Sequence, residues 1–188
     1  MGLRKSYLRW RHSKGFGVHS PYAYRFVKDV LRPGAYGLYS YNEIDRYLKK
    51  QERHDYGFSC LIKFSLRLVI FLKARRIVSS SESRLSGITA KVLDLSWKGL
   101  KKFSHIDFME GDLLIVDSDE IPVSFVSEAI SCNVPVFAIN PSREVRVLLE
   151  TPLEKGLLLE DKKTMILIPR QEMQYVSYEM RLNIGVRV

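Results

Sequence analysis

Cysteine is scarce in this sequence, long apolar runs are missing, and glycine is absent from the one turn where an α/β chain most often needs it. The two cysteines, Cys60 and Cys132, lie among apolar residues with no Cys-x-x-Cys or Cys/His spacing around them. A zinc site is therefore not expected, and two buried free thiols in a reducing compartment are. The most apolar stretch, Phe58 to Leu72, carries Lys63 and Arg67 and is too short to span a bilayer. The first residues, MGLRKSYLRWRHSKG, contain no apolar core of a secretory signal, so a cytoplasmic location is expected. From Ser79 to Ser86 five of eight residues are serine and none is glycine. That stretch follows Ile77-Val78, a short strand signal. A loop after such a strand is the usual seat of a phosphate or nucleotide, so whether anything binds there is the central question.

What is present is a globular composition. The 188 residues are 46% hydrophobic and 11% aromatic, enough for one domain with a core and a small appendage. The net charge of +9 is uneven. Residues 1–76 hold 17 Lys/Arg and 5 Asp/Glu, a balance of +12, which leaves 13 and 16, or −3, for the rest. The basic N-terminal part makes an anionic partner an expectation, against the plainer reading of a solubilising surface. Residues 3–14 place Leu3, Tyr7, Leu8 and Trp10 among Arg4, Lys5, Arg9, Arg11 and Lys14. A short basic amphipathic helix fits, with Tyr7 and Trp10 at i, i+3 as the stripe that packs on the domain. The same composition suits a nucleic-acid or membrane surface.

Ser20-Pro21 reads as a helix start, cap then first position, with Tyr22, Phe26 and Val30 on one face and Pro33-Gly34 as the stop. His19, just before the cap, is a candidate for contact with a ligand. Ser40 or Asn42 caps a helix over Glu43–Glu52. Residues 58–73 read as a mostly buried helix, Lys63 and Arg67 marking its wet edge. Strand signals follow at Ile77-Val78 and Leu113–Val116, the last closed by Asp117; Ile88–Leu95 reads as the remnant of a helix or as a second strand, the latter narrowing to Lys91–Leu95, and SWKGLKKF as a basic helix or turn. A helix over 122–131 and a strand over 134–140 complete an α/β alternation. Glu144–Glu150, Gly156–Leu159, Thr164–Ile168 and Gln174–Leu182 read as antiparallel edge strands. A division at residue 57 is expected: a Tyr-rich helical extension, 1–57, and an α/β domain, 58–188.

The segment RHSKGFGVHSPYAYRFV resembles the N-terminal signature of a group of bacterial class I S-adenosylmethionine-dependent methyltransferases, best known from Bacteroidetes. The layout after it is also similar: a buried helix before strand one, GDLLIVDS like strand four, VPVFAIN like strand five, and VRVLLETPLEKGLLL and PRQEMQYVSYEMRL like the late strands. The resemblance implies a three-layer Rossmann-like sheet. Twenty-five residues from Gly87 to Gly111 are too few for two βαβ units, so the strand 2–3 region is expected to be truncated. The family's first motif, an acid and two glycines, falls here on Ser79, Ser81 and Leu85, with Glu82 nearby. If the cofactor binds, the resemblance implies contacts at Ser79, Ser81, Glu82, Asp94 (the ribose acid) and Asp117, and makes Asp117 or His19 the candidate base.

Three functions follow. The first is a degenerate, non-catalytic methyltransferase-like scaffold or binding module that needs no cofactor. The second is an active S-adenosylmethionine-dependent enzyme on a small or anionic acceptor. The third is nucleic-acid or membrane-surface binding through the basic N-terminus. Homo-oligomer formation stays open.

Overall fold

Apolar runs alternate with amphipathic ones along the chain, and a computed structural model shows the sheet they build. It describes residues 2–31, 40–50, 56–100, 106–117, 121–151 and 153–182. The helices are α1 (Gly2–Ser13), α2 (Pro21–Phe26), α3 (Ser40–Lys50), α4 (Tyr56–Leu72), α5 (Arg84–Leu93), α6 (Val123–Ser131) and α7 (Arg143–Glu150). The strands are β1 (Arg76–Ser80), β2 (Ser96–Leu100), β3 (Asp112–Val116), β4 (Val136–Ile139), β5 (Lys155–Glu160), β6 (Thr164–Gln174) and β7 (Val176–Glu179). They form one seven-stranded mixed sheet in the order β2-β1-β3-β4-β6-β5-β7. Only β6 runs against the others: it is antiparallel to β4 and β5, while β7 lies parallel to β5.

Strand alternation sorts the core into two layers. Ile77, Leu113, Ile115, Phe137 and Ile139 face the side covered by α2, α3, α4 and α5. Val78, Leu114, Val116, Val136 and Ala138 face α6 and α7. Helix α5 links β1 outward to β2, and α6 links β3 in the opposite direction to β4, so the two crossovers lie on opposite faces, as a constant right-handed connection requires. Phe26, Val30, Ile44 and Leu48, from the N-terminal 57 residues, belong to the same buried cluster as the sheet residues Ile77 and Leu113.

Several elements match the sequence. Ser20 caps α2, accepting from the amide of Ala23 at 3.3 Å, and a π-helical turn, Val27–Leu31, continues the helix. Helix α4 is buried nearly all round, but Lys63 and Arg67 are not its wet edge. Lys63 pairs with Asp45 of α3 at 2.8 Å, and Arg67 donates to the Val30 carbonyl and the Tyr41 hydroxyl, both at 2.7 Å. Pro33-Gly34, Glu52, Lys101–Phe103 and Pro152 lie outside the described residues.

Other elements differ. Of the two readings of Ile88–Leu95 the helical one holds: Lys91–Leu95 is the end of α5 and its cap, not a strand, and the second strand is Ser96–Leu100, where a helix or turn was expected. Glu144–Glu150 is helical, capped by Ser142. Cys132 is exposed and Cys60 half-buried. Helix α1 forms with its faces reversed: Tyr7 and Trp10 point to solvent, 56% and 42% exposed. Polar groups make the contact instead, through Arg9 to the Glu179 carboxylate (3.1 Å) and His12 Nδ1 to the Glu179 carbonyl (2.8 Å). No helix among the described residues is long and apolar enough to cross a membrane.

Candidate crevice at the ends of β1 and β3

Where β1 and β3 lie side by side with crossovers leaving in opposite directions, the chain cannot close over the carboxyl ends of the strands, and a crevice results. The serine stretch forms one wall and Asp117 another. A cavity of about 410 Å³ opens there, lined by Phe58, Leu61, Ser80, Glu82, Ser83, Arg84, Leu85, Asp117 and Ile139.

The serines are mostly buried and largely engaged with one another. Ser79 is fully buried at the end of β1. Its hydroxyl accepts from the Trp97 indole N–H (2.9 Å) and donates to the Ser80 carbonyl (3.1 Å). Ser80 Oγ accepts from the amide of Glu82 (3.3 Å). Ser83 is the N-cap of α5: it accepts from the amide of Ser86 at 3.1 Å. Its Oγ also lies 2.5 Å from Asp117 Oδ2 and 2.9 Å from Ser86 Oγ. A hydroxyl has one proton, and the carboxylate accepts only, so Ser83 donates to Asp117 and Ser86 donates to Ser83. This short network ties the start of α5 to the end of β3.

The turn sits low because β2 makes room for it. A Cβ on Gly99 would come within 2.8 Å of the Ser81 Cα, and one on Gly87 within 3.2 Å of the Trp97 ring. Trp97 therefore lies against α5 and reaches Ser79 from the β2 side. Leu85 is buried in the core and forms part of the cavity wall without closing it. At the mouth, the Arg84 guanidinium lies 5.3 Å from the centre of the Phe58 ring.

Of the residues singled out by sequence, Ser79, Ser81, Glu82 and Asp117 share this region; two others do not. Asp94 caps the carboxyl end of α5 in a left-handed conformation, φ 51° and ψ 46°. It precedes β2 and so lies at the amino end of the sheet, away from the crevice. His19 is exposed, and its backbone amide donates to the Tyr178 hydroxyl on β7 (3.2 Å). With β7 four strands from β3, a spacing of ~4.8 Å per strand puts the two roughly 19 Å apart. His19 is thus not placed to act with Asp117. Trp97, Ser83 and Arg84 carry much of the local geometry and were not singled out. Ser83, just before the apolar-periodic Leu85, Ile88 and Val92, carried a legible cap signal.

A second hollow, about 450 Å³, lies beside the ends of β3 and β4, where Asn140, Ser142 and Glu144 supply its polar groups. Among the described residues no cluster of three His, Cys, Asp or Glu side chains is arranged to hold a metal ion. No protein-family model, curated protein or solved structure matches the chain.

Proposed function

We propose that this is a methyltransferase-like protein kept as a non-catalytic scaffold or binding module, with the polar groups of its cofactor turn engaged by its own side chains. The observation that carries this reading is the Trp97–Ser79 hydrogen bond at 2.9 Å. Ser79 stands where the resemblance calls for an acid. A carboxylate there would accept from the cofactor's ammonium group; a neutral hydroxyl is a weaker partner, and this one already accepts from an indole and donates to a carbonyl. Ser81 and Leu85 stand where glycines would let the cofactor approach the backbone. Ser81 packs against Gly99, and Leu85 is held in the core. The residues present therefore do not fit the amino-acid moiety of S-adenosylmethionine.

The relationship itself has separate support. The sheet with helices on both faces and the turn after β1 are consistent with the Rossmann-like fold that the resemblance implies. The single described strand between β1 and β3 fits a sheet shortened in the strand 2–3 region. A fold can be kept after its site is lost.

A second reading, an active S-adenosylmethionine-dependent enzyme, draws on the cavity of about 410 Å³ and on Glu82 and Asp117 in its lining. Calorimetric titration with S-adenosylmethionine and S-adenosylhomocysteine separates the two. The scaffold reading expects neither heat nor a thermal shift at millimolar ligand. Micromolar binding of both would overturn it in favour of the enzyme.

A further inference from the structure

Helix α1 is amphipathic in an unusual sense: its polar side faces the protein and its aromatic side faces out. Arg9 and His12 bind Glu179, and Arg181 donates to the Ser6 hydroxyl at 2.6 Å. With 100° per residue these contacts leave an outward arc centred on Tyr7 and Arg11, with Trp10 on one flank and Leu8 on the other. Tyr7, Leu8 and Trp10 are 56%, 39% and 42% exposed, and Phe16, in the turn that follows, is 59% exposed. Four of the nine large hydrophobic residues exposed among the described residues therefore fall within ten consecutive positions. A cluster this dense marks a contact surface rather than ordinary scatter.

Charge identifies the partner. Residues 1–31 contain seven Lys/Arg and one acid, Asp29. Lys14, Arg25 and Lys28 are exposed, and Arg11 lies 5.8 Å from the Tyr7 ring centre. We propose that this face of α1 docks onto an anionic lipid bilayer surface, with Trp10, Tyr7, Leu8 and Phe16 at the headgroup–acyl boundary and the surrounding cations on lipid phosphates and carboxylates. The shape favours lipid over nucleic acid. The surface is a convex helix, not a groove that tracks a phosphate backbone. The Tyr7 and Trp10 rings stack on each other at 6.0 Å, and Arg11 lies by Tyr7, so the ring faces are not laid out as a platform for successive bases. Leu8 has no use in base stacking but suits an acyl boundary.

The test is flotation of the full chain with vesicles of phosphatidylcholine alone and of phosphatidylcholine with about a quarter phosphatidylserine, at low salt. The protein should float with the anionic vesicles and remain behind with the neutral ones. The double variant Tyr7→Ala/Trp10→Ala and the charge reversal Arg11→Glu/Lys14→Glu should each weaken partition roughly tenfold or more. Tyr7, Trp10 and Lys14 are exposed and Arg11 is half-buried against the Tyr7 ring, so circular dichroism should show both variants folded. Absence of flotation with anionic vesicles, or partition unaffected by both variants, would overturn the proposal. So would micromolar binding to a single-stranded oligonucleotide with none to vesicles, which would assign the face to nucleic acid.

Discussion

The two ends of the sheet both hold a buried or half-buried aspartate, and they treat it oppositely. At the amino end Asp112, nearly fully buried, is gripped by Arg76 through Nε–Oδ1 (2.7 Å) and Nη2–Oδ2 (2.5 Å). The Met109 amide adds a third bond at 2.8 Å, and Arg76 also donates to the Asp107 carbonyl. At the carboxyl end Asp117 takes a serine hydroxyl and borders a cavity. The bidentate pair closes its end of the sheet, whereas Asp117 stands in the wall of an open cavity. What separates the two ends is therefore the space beside the carboxylate, not the burial of charge.

Substitutions should separate the two ends. Asp112→Ala leaves the Arg76 guanidinium, 19% exposed, without its main partner. It should lose about 3–5 kcal/mol in urea unfolding. Ser83→Ala removes a cap and the hydroxyl bound to Asp117, and should cost about 1–2 kcal/mol by the same measurement. A loss at Ser83 equal to that at Asp112 would mean that the crevice network is as structural as the ion pair.

The smallest effect is expected at a third acid, Glu160, at the carboxyl end of β5. Burial first, then the neighbouring carboxylates Glu179 and Glu150, raises the Glu160 pKa, against the opposing pull of Arg146 and Arg9. A carboxyl with a raised folded-state pKa binds more protons folded than unfolded, so its contribution to stability falls as pH rises through that pKa. Glu160→Gln should therefore raise the melting temperature slightly at neutral pH. The gain should vanish in acid, where the wild-type side chain is itself neutral. A pH-independent change would assign the effect to packing.

Much of the sheet was legible because its central strands are buried on both faces. Leu113–Val116 and Val136–Ile139 read as continuous apolar runs. Strand β2 was not legible for the complementary reason: Ser96, Trp97 and Lys98 are exposed, so the strand carries no burial pattern to read. Helix α7 misled through Val145 and Val147, which alternate as in a strand. Val147 is 58% exposed, while Val145 and Leu149, four apart, are buried. The i, i+3 spacing of Tyr7 and Trp10 gave their shared face correctly, but could not say whether protein or solvent lay opposite. At the crevice, Ser79 and Asp117 were placed by their strands. Trp97 reaches Ser79 across a strand pairing that local spacing does not encode.

Strand β2 closes the series, and among the described residues no strand pairs with its outer side. An unpaired ladder is a template on which a second chain can add, so this margin is where uncontrolled association would begin. Lys98 stands at its middle, exposed. An incoming strand would have to strip water from that ammonium, so the same short segment that braces the serine turn also carries its own guard against stacking into fibres.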